Sequence, residues 1–216
     1  MVKLYLVRHC QATGNLLRVF QGSSDTDITE EGKLQLRSLT ERFRNIPVDI
    51  ICSSDLHRAM LTAAAINTHH RKAIVPTPLL REINGGEWEG KEIRNFPESY
   101  RDESFFWENE PEKFCAPGGE SMTEVYNRVQ SVIGNIASEC EGKTAVIVSH
   151  GCAIRNMLCF LKYGDINRLR EVEWSKNTGV TYVEYSNSNK AWKIIFENDI
   201  SHLPEDKSGS FSGRLR

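Results

Sequence analysis

Two adjacent residues near the start of the chain, Arg8 and His9, combine a permanent cation with an imidazole. They follow an apolar run over residues 3–7, which is typical of a buried strand. Open α/β folds bind ligands at the carboxyl ends of their strands, and a small, polar run over residues 10–15 comes next. The pair is therefore predicted to lie in a site at a sheet edge.

A second histidine, His150, ends another apolar run over residues 144–149 and is followed by Gly151 and a helical stretch. Glycine lets a ligand approach the backbone closely, and the unpaired N–H groups at a helix start attract anions. Between the two histidines, a third apolar run over 48–52 leads into a helix that carries Arg58 in its first turn. These strand ends are predicted to bring two histidines and two arginines together.

Such a set of side chains suits a tetrahedral phosphate group. Guanidinium groups match phosphate oxygens in a bidentate way and stay charged at any working pH. Neutral imidazole is nucleophilic near neutral pH because its ordinary pKa is about 6.5. The nucleotide-binding pattern G-x-x-x-x-G-K-[ST] is absent from the sequence, which disfavours nucleotide-driven phosphoryl transfer.

The chain resembles the histidine phosphatase superfamily, also called phosphoglycerate mutase-like, in short motifs that follow the family's order from residue 3 to about 200. The matching segments are 6–9, Asn15, Gln21 with Gly22, 27–32, 53–59 with Thr62 and Ala63, Arg81 with Glu82, 86–90, 117–121 and 148–151. Each motif alone is weak evidence of kinship, but together they are specific.

The resemblance implies a two-step transfer through a phosphohistidine, with His9 as nucleophile and Glu82 as proton donor to the leaving oxygen. Arg8, Arg58 and His150 would form the phosphate pocket, and a cationic His150 could stabilise charge that develops in the transition state. The remaining residues assigned to substrate binding are Asn15, Gln21, Gly22 and Gly151.

A general acid must hold its proton until the leaving group needs it. Glu82 lies in the apolar stretch 79–83, and desolvation raises the pKa of a carboxyl group. Repulsion from a bound phosphate would act in the same direction. This setting predicts an acid role for Glu82, whereas Glu87 and Glu89 are interpreted as a solvated loop rim or a cap.

Two kinds of enzyme occur in the family: mutases, which return the phosphate to the substrate, and phosphatases, which release it to water. Mutases typically carry a basic, histidine-containing run after the glutamate, but residues 83–89 contain acids and no base. A phosphomonoester hydrolase acting on a small phosphorylated metabolite is therefore predicted. The alternatives are a 2,3-bisphosphoglycerate-dependent phosphoglycerate mutase and a catalytically silent module that binds phosphorylated ligands.

No metal or other cofactor is predicted. The six histidines and six cysteines show no C-x-x-C, H-x-x-x-H or H-x-E spacing. Two arginines at the site would already supply the positive charge that a metal ion would bring. The other histidines are interpreted as surface or hydrogen-bonded residues: His57, His69, His70 and His202.

Composition predicts one compact domain over residues 1–203, because 216 residues with 39% hydrophobic content can bury a large core. A net charge of −2 argues against general attraction to nucleic acid or membranes. The cysteines suggest no disulfide framework, and neither a signal peptide nor a transmembrane stretch is recognisable, so a cytoplasmic location is expected. Cys10 replaces the family's usual glycine, which predicts an ordinary negative φ there. The oligomeric state stays open.

The alternation of elements predicts an α/β fold: a three-layer, doubly wound, mostly parallel sheet with helices on both faces. Strands are expected near 3–8, 48–53, 73–76 and 144–149, helices near 30–45, 55–70, 122–140 and 152–162, and a hairpin at 180–186 and 191–197. The aromatic, proline-rich segment 91–119 is predicted to form a helical insert over the carboxyl edge, either as a lid or as a purely stabilising subdomain. Residues 204–216 are expected to form a loose tail.

Overall fold

A six-stranded mixed sheet forms the centre of the computed structural model, which describes residues 1–204. Its strands are β1 (Val2–Arg8), β2 (Ile50–Ser53), β3 (Ile74–Pro76), β4 (Thr144–Ser149), β5 (Val180–Ser186) and β6 (Ala191–Asp199). In the order β3-β2-β4-β1-β5-β6, the first four are parallel to one another, while β5 and β6 form an antiparallel hairpin at one edge. The predicted α/β fold with a closing hairpin is confirmed.

Helices cover both faces of this sheet. They are α1 (Thr13–Leu17), α2 (Glu30–Phe43), α3 (His57–Asn67), α4 (Phe96–Ser99), α5 (Arg101–Asn109), α6 (Met122–Glu139) and α7 (Gly151–Tyr163). Successive strand residues point to opposite faces, so Leu4 and Leu6 of β1 pack in the core shared with α6 and α7, whereas Val7 packs with α2 and α3. The predicted three layers follow from this alternation.

Local sequence explains where the long helices begin. Thr29 accepts a hydrogen bond from Gly32 N at the start of α2, and Ser121 forms a reciprocal capping box with Glu124 at the start of α6. Helix α1 was not predicted, because five residues are too few to show a helical period.

The insert 91–119 contains α4, α5 and two short 3₁₀ turns, Ile93–Asn95 and Pro111–Lys113. Its buried side chains Phe96, Trp107 and Phe114 join the core cluster that includes α6 and α7. The ring centroids of Trp107 and Phe114 lie 4.8 Å apart. The insert is therefore packed into the main core, and its action as a lid stays a prediction.

Two further expectations concern the chain's chemistry. Cys10 does not have a positive φ, as predicted, and all six cysteines are free thiols. Within residues 1–204, no helix combines the length and apolar character needed to cross a membrane. Most of the predicted tail, residues 205–216, lies outside the described part of the chain.

Candidate active site

The two strand-end histidines lie side by side because β1 and β4 are neighbours in the sheet. Arg8, the last residue of β1, is in register with Ser149, the last residue of β4, and a histidine follows each of them. His9 N donates to Ser149 O at 2.9 Å, and the ring centroids of His9 and His150 are 5.0 Å apart. The sheet register thus places both imidazoles at one carboxyl edge.

One nitrogen of the buried His9 ring is already engaged. Its Nδ1 lies 2.6 Å from Cys10 O, which accepts a hydrogen bond from the Nδ1–H tautomer and leaves the lone pair on Nε2. Burial lowers the pKa of His9 well below 6.5, and the charges of Arg58 and Arg8 act in the same direction. His9 is therefore a neutral imidazole at neutral pH, as a nucleophile requires.

His150 is also buried and neutral. Its Nε2 lies 2.8 Å from Ser54 Oγ, and its Nδ1 has no hydrogen-bond partner within residues 1–204. Burial is the main cause that lowers the pKa of His150 well below 6.5, followed by the charge of Arg58. An anion beside Nδ1 would satisfy this buried atom.

Arg8 provides a fixed positive charge next to the nucleophile. Its Nη1 donates a hydrogen bond to Ser175 O, which holds the guanidinium at the end of β1. Burial lowers the pKa of Arg8 to about 10, an effect that the Glu82 carboxylate partly offsets. Arg8 therefore remains protonated at neutral pH in spite of its burial.

Arg58 is held by the loop that precedes α2. Its Nη1 donates to Ser24 O at 2.7 Å and to Asp25 Oδ1 at 3.1 Å, and its Nη2 donates to Gly22 O at 2.9 Å. Its buried Nε has no partner within residues 1–204. After burial, the charge of Arg58 is the next cause that lowers the pKa of both imidazoles.

The environment of Glu82 differs from the expected one. Its Oε1 accepts hydrogen bonds from Ile83 N at 3.0 Å and Ala153 N at 3.1 Å, and its Oε2 accepts one from Cys152 N at 3.0 Å. The apolar stretch 79–83 did not reveal these donors, because the first turn of α7 supplies two of them from a distant part of the chain.

A cavity of about 50 Å³ lies between these groups. The predicted site residues that line it are Arg8, His9, Asn15, Gln21, Glu82 and Gly151. Gly22, Arg58 and His150 do not line the cavity itself. Gly22 and Arg58 meet in the loop just described, and His150 packs against His9.

Several residues at the site gave no signal in the sequence. The segment before β5 contributes Asn177, whose Nδ2 donates to His9 O at 3.0 Å, and Thr178, whose N donates to Arg8 O at 3.1 Å. Trp174 lines the cavity with Trp107 of the insert, and their rings stack with centroids 5.6 Å apart. Neither the segment before β5 nor the insert carries a recognisable motif. Their residues reach the site only because the folded chain brings these segments back to the carboxyl edge of the sheet.

The remaining histidines and acids can also be placed. His57 and His69 are exposed, His70 Nε2 lies 3.0 Å from Phe43 O, and His202 Nδ1 lies 3.1 Å from Arg42 Nη1. Glu89 caps the loop at residues 22–24, which agrees with its interpretation as a cap and not as a solvated loop rim. Residues 1–204 contain no cluster of three metal-ligating side chains, and metal independence stays a prediction.

Comparison with known proteins adds an independent observation. The profile of the histidine phosphatase superfamily (branch 1) matches residues 4–198. The chain belongs to this superfamily. It is 34% identical over 168 residues to phosphoserine phosphatase 1 of Hydrogenobacter thermophilus, covering 78% of this chain and 80% of that protein.

Members with other names are about equally similar. The probable phosphoglycerate mutase GpmB of Enterobacter sp. is 33% identical, covering 94% of this chain and 95% of that protein. Among solved structures, Bacillus stearothermophilus YhfR superposes with a TM-score of 0.84 at 29% identity, covering 94% of this chain and 99% of that one. Sequence similarity alone therefore does not separate hydrolase from mutase.

The lowered pKa values of the two histidines predict how stability depends on pH. Below about pH 6.5 the unfolded chain binds protons that the folded imidazoles do not, so the free energy of unfolding should fall on acidification. Each histidine contributes a slope of up to about 1.4 kcal/mol per pH unit. Urea unfolding at pH 7, 6 and 5 measures it.

His9→Asn and His150→Asn should each reduce this slope, whereas His69→Asn, at an exposed position, should leave it unchanged. An unchanged slope in both site variants would show that these imidazoles are not buried in the neutral form.

Proposed function

We propose that this protein is a phosphomonoester hydrolase that works through a phosphohistidine at His9. The observation that carries the proposal is the neutral imidazole of His9, whose Nδ1 is bound to Cys10 O and whose ring lines a small cavity beside Arg8 and Glu82. A nucleophile, a fixed cation and a carboxylate thus border one phosphate-sized space.

In the first step, His9 Nε2 attacks phosphorus, the P–O bond to the alcohol breaks, and Glu82 gives its proton to the leaving oxygen. In the second step, Glu82 takes a proton from water, the water oxygen attacks phosphorus, and the P–N bond to His9 breaks. Arg8 and Arg58 stabilise the negative charge on the phosphoryl oxygens in both transition states. We expect His150 Nδ1, which has no partner within residues 1–204, to donate a hydrogen bond to the same group when the imidazole carries a proton there.

Glu82 needs a proton before the first step. The backbone N–H groups of Ile83, Cys152 and Ala153 hold its carboxyl group at the edge of the cavity that Glu82 lines.

The site favours transfer of the phosphoryl group to water over its return to the substrate. The segment after Glu82 carries Glu87 and Glu89 and no base, so a second phosphate on the substrate would meet negative charge there. A 2,3-bisphosphoglycerate-dependent mutase needs such a second phosphate site. The name of the phosphoserine phosphatase relative agrees with a small phosphorylated metabolite as substrate.

Metal independence and a cytoplasmic location belong to the same proposal. Arg8 and Arg58 supply the positive charge that a metal ion would otherwise bring to the phosphate. The free cysteines agree with a reducing compartment. A net charge of −2 supports a metabolite, not nucleic acid or a membrane surface, as the partner.

Replacing His9 tests the nucleophile. His9→Ala should lower turnover of p-nitrophenyl phosphate by at least about a thousandfold, because the covalent route is lost. Wild-type enzyme quenched during turnover should carry acid-labile, alkali-stable phosphate, and the variant should carry none. Both assays run in excess EDTA, where wild-type activity should persist.

The exposed His69→Ala variant should match the wild type and serves as the control. Turnover by His9→Ala within tenfold of wild type would refute the assignment, and activity that disappears with EDTA would show that the site needs a metal.

Leaving-group chemistry tests the proton donor separately. Glu82→Gln should strongly impair hydrolysis of alkyl phosphates, whose alkoxides are strong bases, but spare much of the activity on p-nitrophenyl phosphate, whose leaving group needs little protonation. Arg58→Ala should impair both substrates similarly, because every substrate shares the phosphoryl charge. The measurement is steady-state kcat/KM on alkyl phosphates and on p-nitrophenyl phosphate. Equal losses of kcat/KM on the two substrates in Glu82→Gln would contradict the acid role.

A further inference from the structure

Arg155 is a buried cation that the catalytic steps do not use. It lies one helical turn after Gly151 in α7 and is 6% exposed. Its Nε donates to Val172 O at 2.8 Å, and its guanidinium carbon lies 4.8 Å from the ring centroid of Trp174. Its Nη atoms form no hydrogen bond or ion pair with any residue in 1–204. Burial of a guanidinium with so few direct hydrogen bonds is costly.

A cleft of about 580 Å³ opens in front of this guanidinium. Arg101 and Arg170 line it as well, together with buried Ser104, whose Oγ has no partner within the described residues. Glu108 and Glu173 also border the cleft. Burial lowers the pKa of Arg155, and these two carboxylates offset only part of that effect.

The cleft adjoins the phosphate cavity across an aromatic wall. Trp107 and Trp174 border both spaces. A Cβ placed on Gly151 would lie 3.4 Å from Arg8 Cζ and 3.5 Å from Trp174 Cε3, so the indole lies close to the phosphate-binding arginine. Arg155 lies against the same indole. Trp174 is therefore close to both arginines, and we expect a substrate that extends from a phosphate at Arg8 along this indole to approach Arg155.

We propose that this cleft binds a carboxylate on the alcohol part of the substrate through Arg155, which restricts the substrate class to phosphomonoesters of hydroxy acids. This rests on the proposed hydrolase function. A guanidinium binds a carboxylate through two parallel hydrogen bonds.

Matched substrate pairs test this proposal. The first pair is 3-phosphoglycerate and glycerol 3-phosphate, which differ by a carboxylate in place of a hydroxymethyl group; the second is 4-carboxyphenyl phosphate and phenyl phosphate. Wild-type kcat/KM should favour the carboxylated member of each pair by about tenfold, mainly through KM. Arg155→Gln should bring the ratio close to one, and Arg155→Lys should retain part of it.

Arg94→Gln is the control, because Arg94 is exposed, pairs with Glu92 and does not line the cleft. Equal wild-type rates within each pair, or a preference that survives Arg155→Gln, would overturn the carboxylate site. If the glutamine variant does not fold, a weaker preference in a folded Arg155→Lys variant supports the site and full retention contradicts it. Failure of wild type on phenyl phosphate as well would refute the hydrolase function instead.

A second, independent feature is the concentration of donors on Glu89. Its Oε1 accepts hydrogen bonds from Ser23 N and Gly85 N, both at 2.9 Å. Its Oε2 accepts bonds from Gly22 N at 3.2 Å, Ser24 N at 3.2 Å and Ser24 Oγ at 2.6 Å. A single carboxylate thus binds three successive backbone N–H groups of one loop.

The same loop holds Arg58 from its other side. The carbonyl oxygens of Gly22 and Ser24 accept hydrogen bonds from the guanidinium. Gly22 has no room for a side chain, since a Cβ would lie 2.1 Å from Ile83 O and 2.2 Å from Glu89 Oε1. Peptide units of this loop therefore connect Glu89 to Arg58.

We infer that Glu89 is a positioning residue that orients Arg58 toward the phosphate through this loop, an inference that also rests on the proposed function. Vanadate inhibition reports the phosphate site. Glu89→Gln should raise the vanadate Ki by about tenfold, because the amide NH₂ group must face backbone N–H donors in either orientation.

A double-mutant cycle with Arg58→Ala separates positioning from general loss of structure. If Glu89 acts through Arg58, adding Glu89→Gln to Arg58→Ala should change the Ki less than about twofold. Glu87→Gln, at an exposed position, is the control. An equal effect in both backgrounds, or none in either, would overturn the inference; Ser24→Ala offers a milder test of the same link if Glu89→Gln does not fold.

Discussion

Two guanidinium groups are buried at the carboxyl edge of the sheet, where Glu82 offsets part of the cost of burial for both and Asp25 pairs with Arg58. Arg8 is 4% exposed and Arg58 is fully buried, and both imidazoles beside them remain neutral because another cation there would be too costly. A dianion in this space would gain attraction from both guanidinium groups. This edge of the sheet is therefore organised for a ligand of negative charge.

Backbone groups hold these charges in place. Carbonyl oxygens of Ser175, Gly22 and Ser24 accept hydrogen bonds from the two guanidinium groups, while backbone N–H groups bind the carboxylates of Glu82 and Glu89. Peptide dipoles on strand ends and short loops require no reorganisation during a reaction. Charge stabilisation at this site thus depends on the fold as a whole.

The proposed phosphate chemistry and leaving-group recognition would be divided between two parts of the structure. Arg8, His9 and His150 lie on the ends of central parallel strands, whereas Trp107 and Trp174 come from the insert and from the segment before β5. The insert packs its aromatic side chains into the main core. Substitutions in the insert can therefore change the part of the cavity that would contact the leaving group, while the strand ends keep their geometry.

Sequence patterns alone predicted the α/β alternation, the closing hairpin and the strand ends that carry His9 and His150. Apolar runs report local burial, and parallel strands place their carboxyl ends at one edge. The surroundings of Glu82 could not be predicted in this way, because its donor Cys152 N lies 70 residues further along the chain. The same holds for Trp174, which lines the cavity although no motif surrounds it in the sequence. Local patterns determine which elements form, but contacts between distant segments determine the chemistry of the groups they carry.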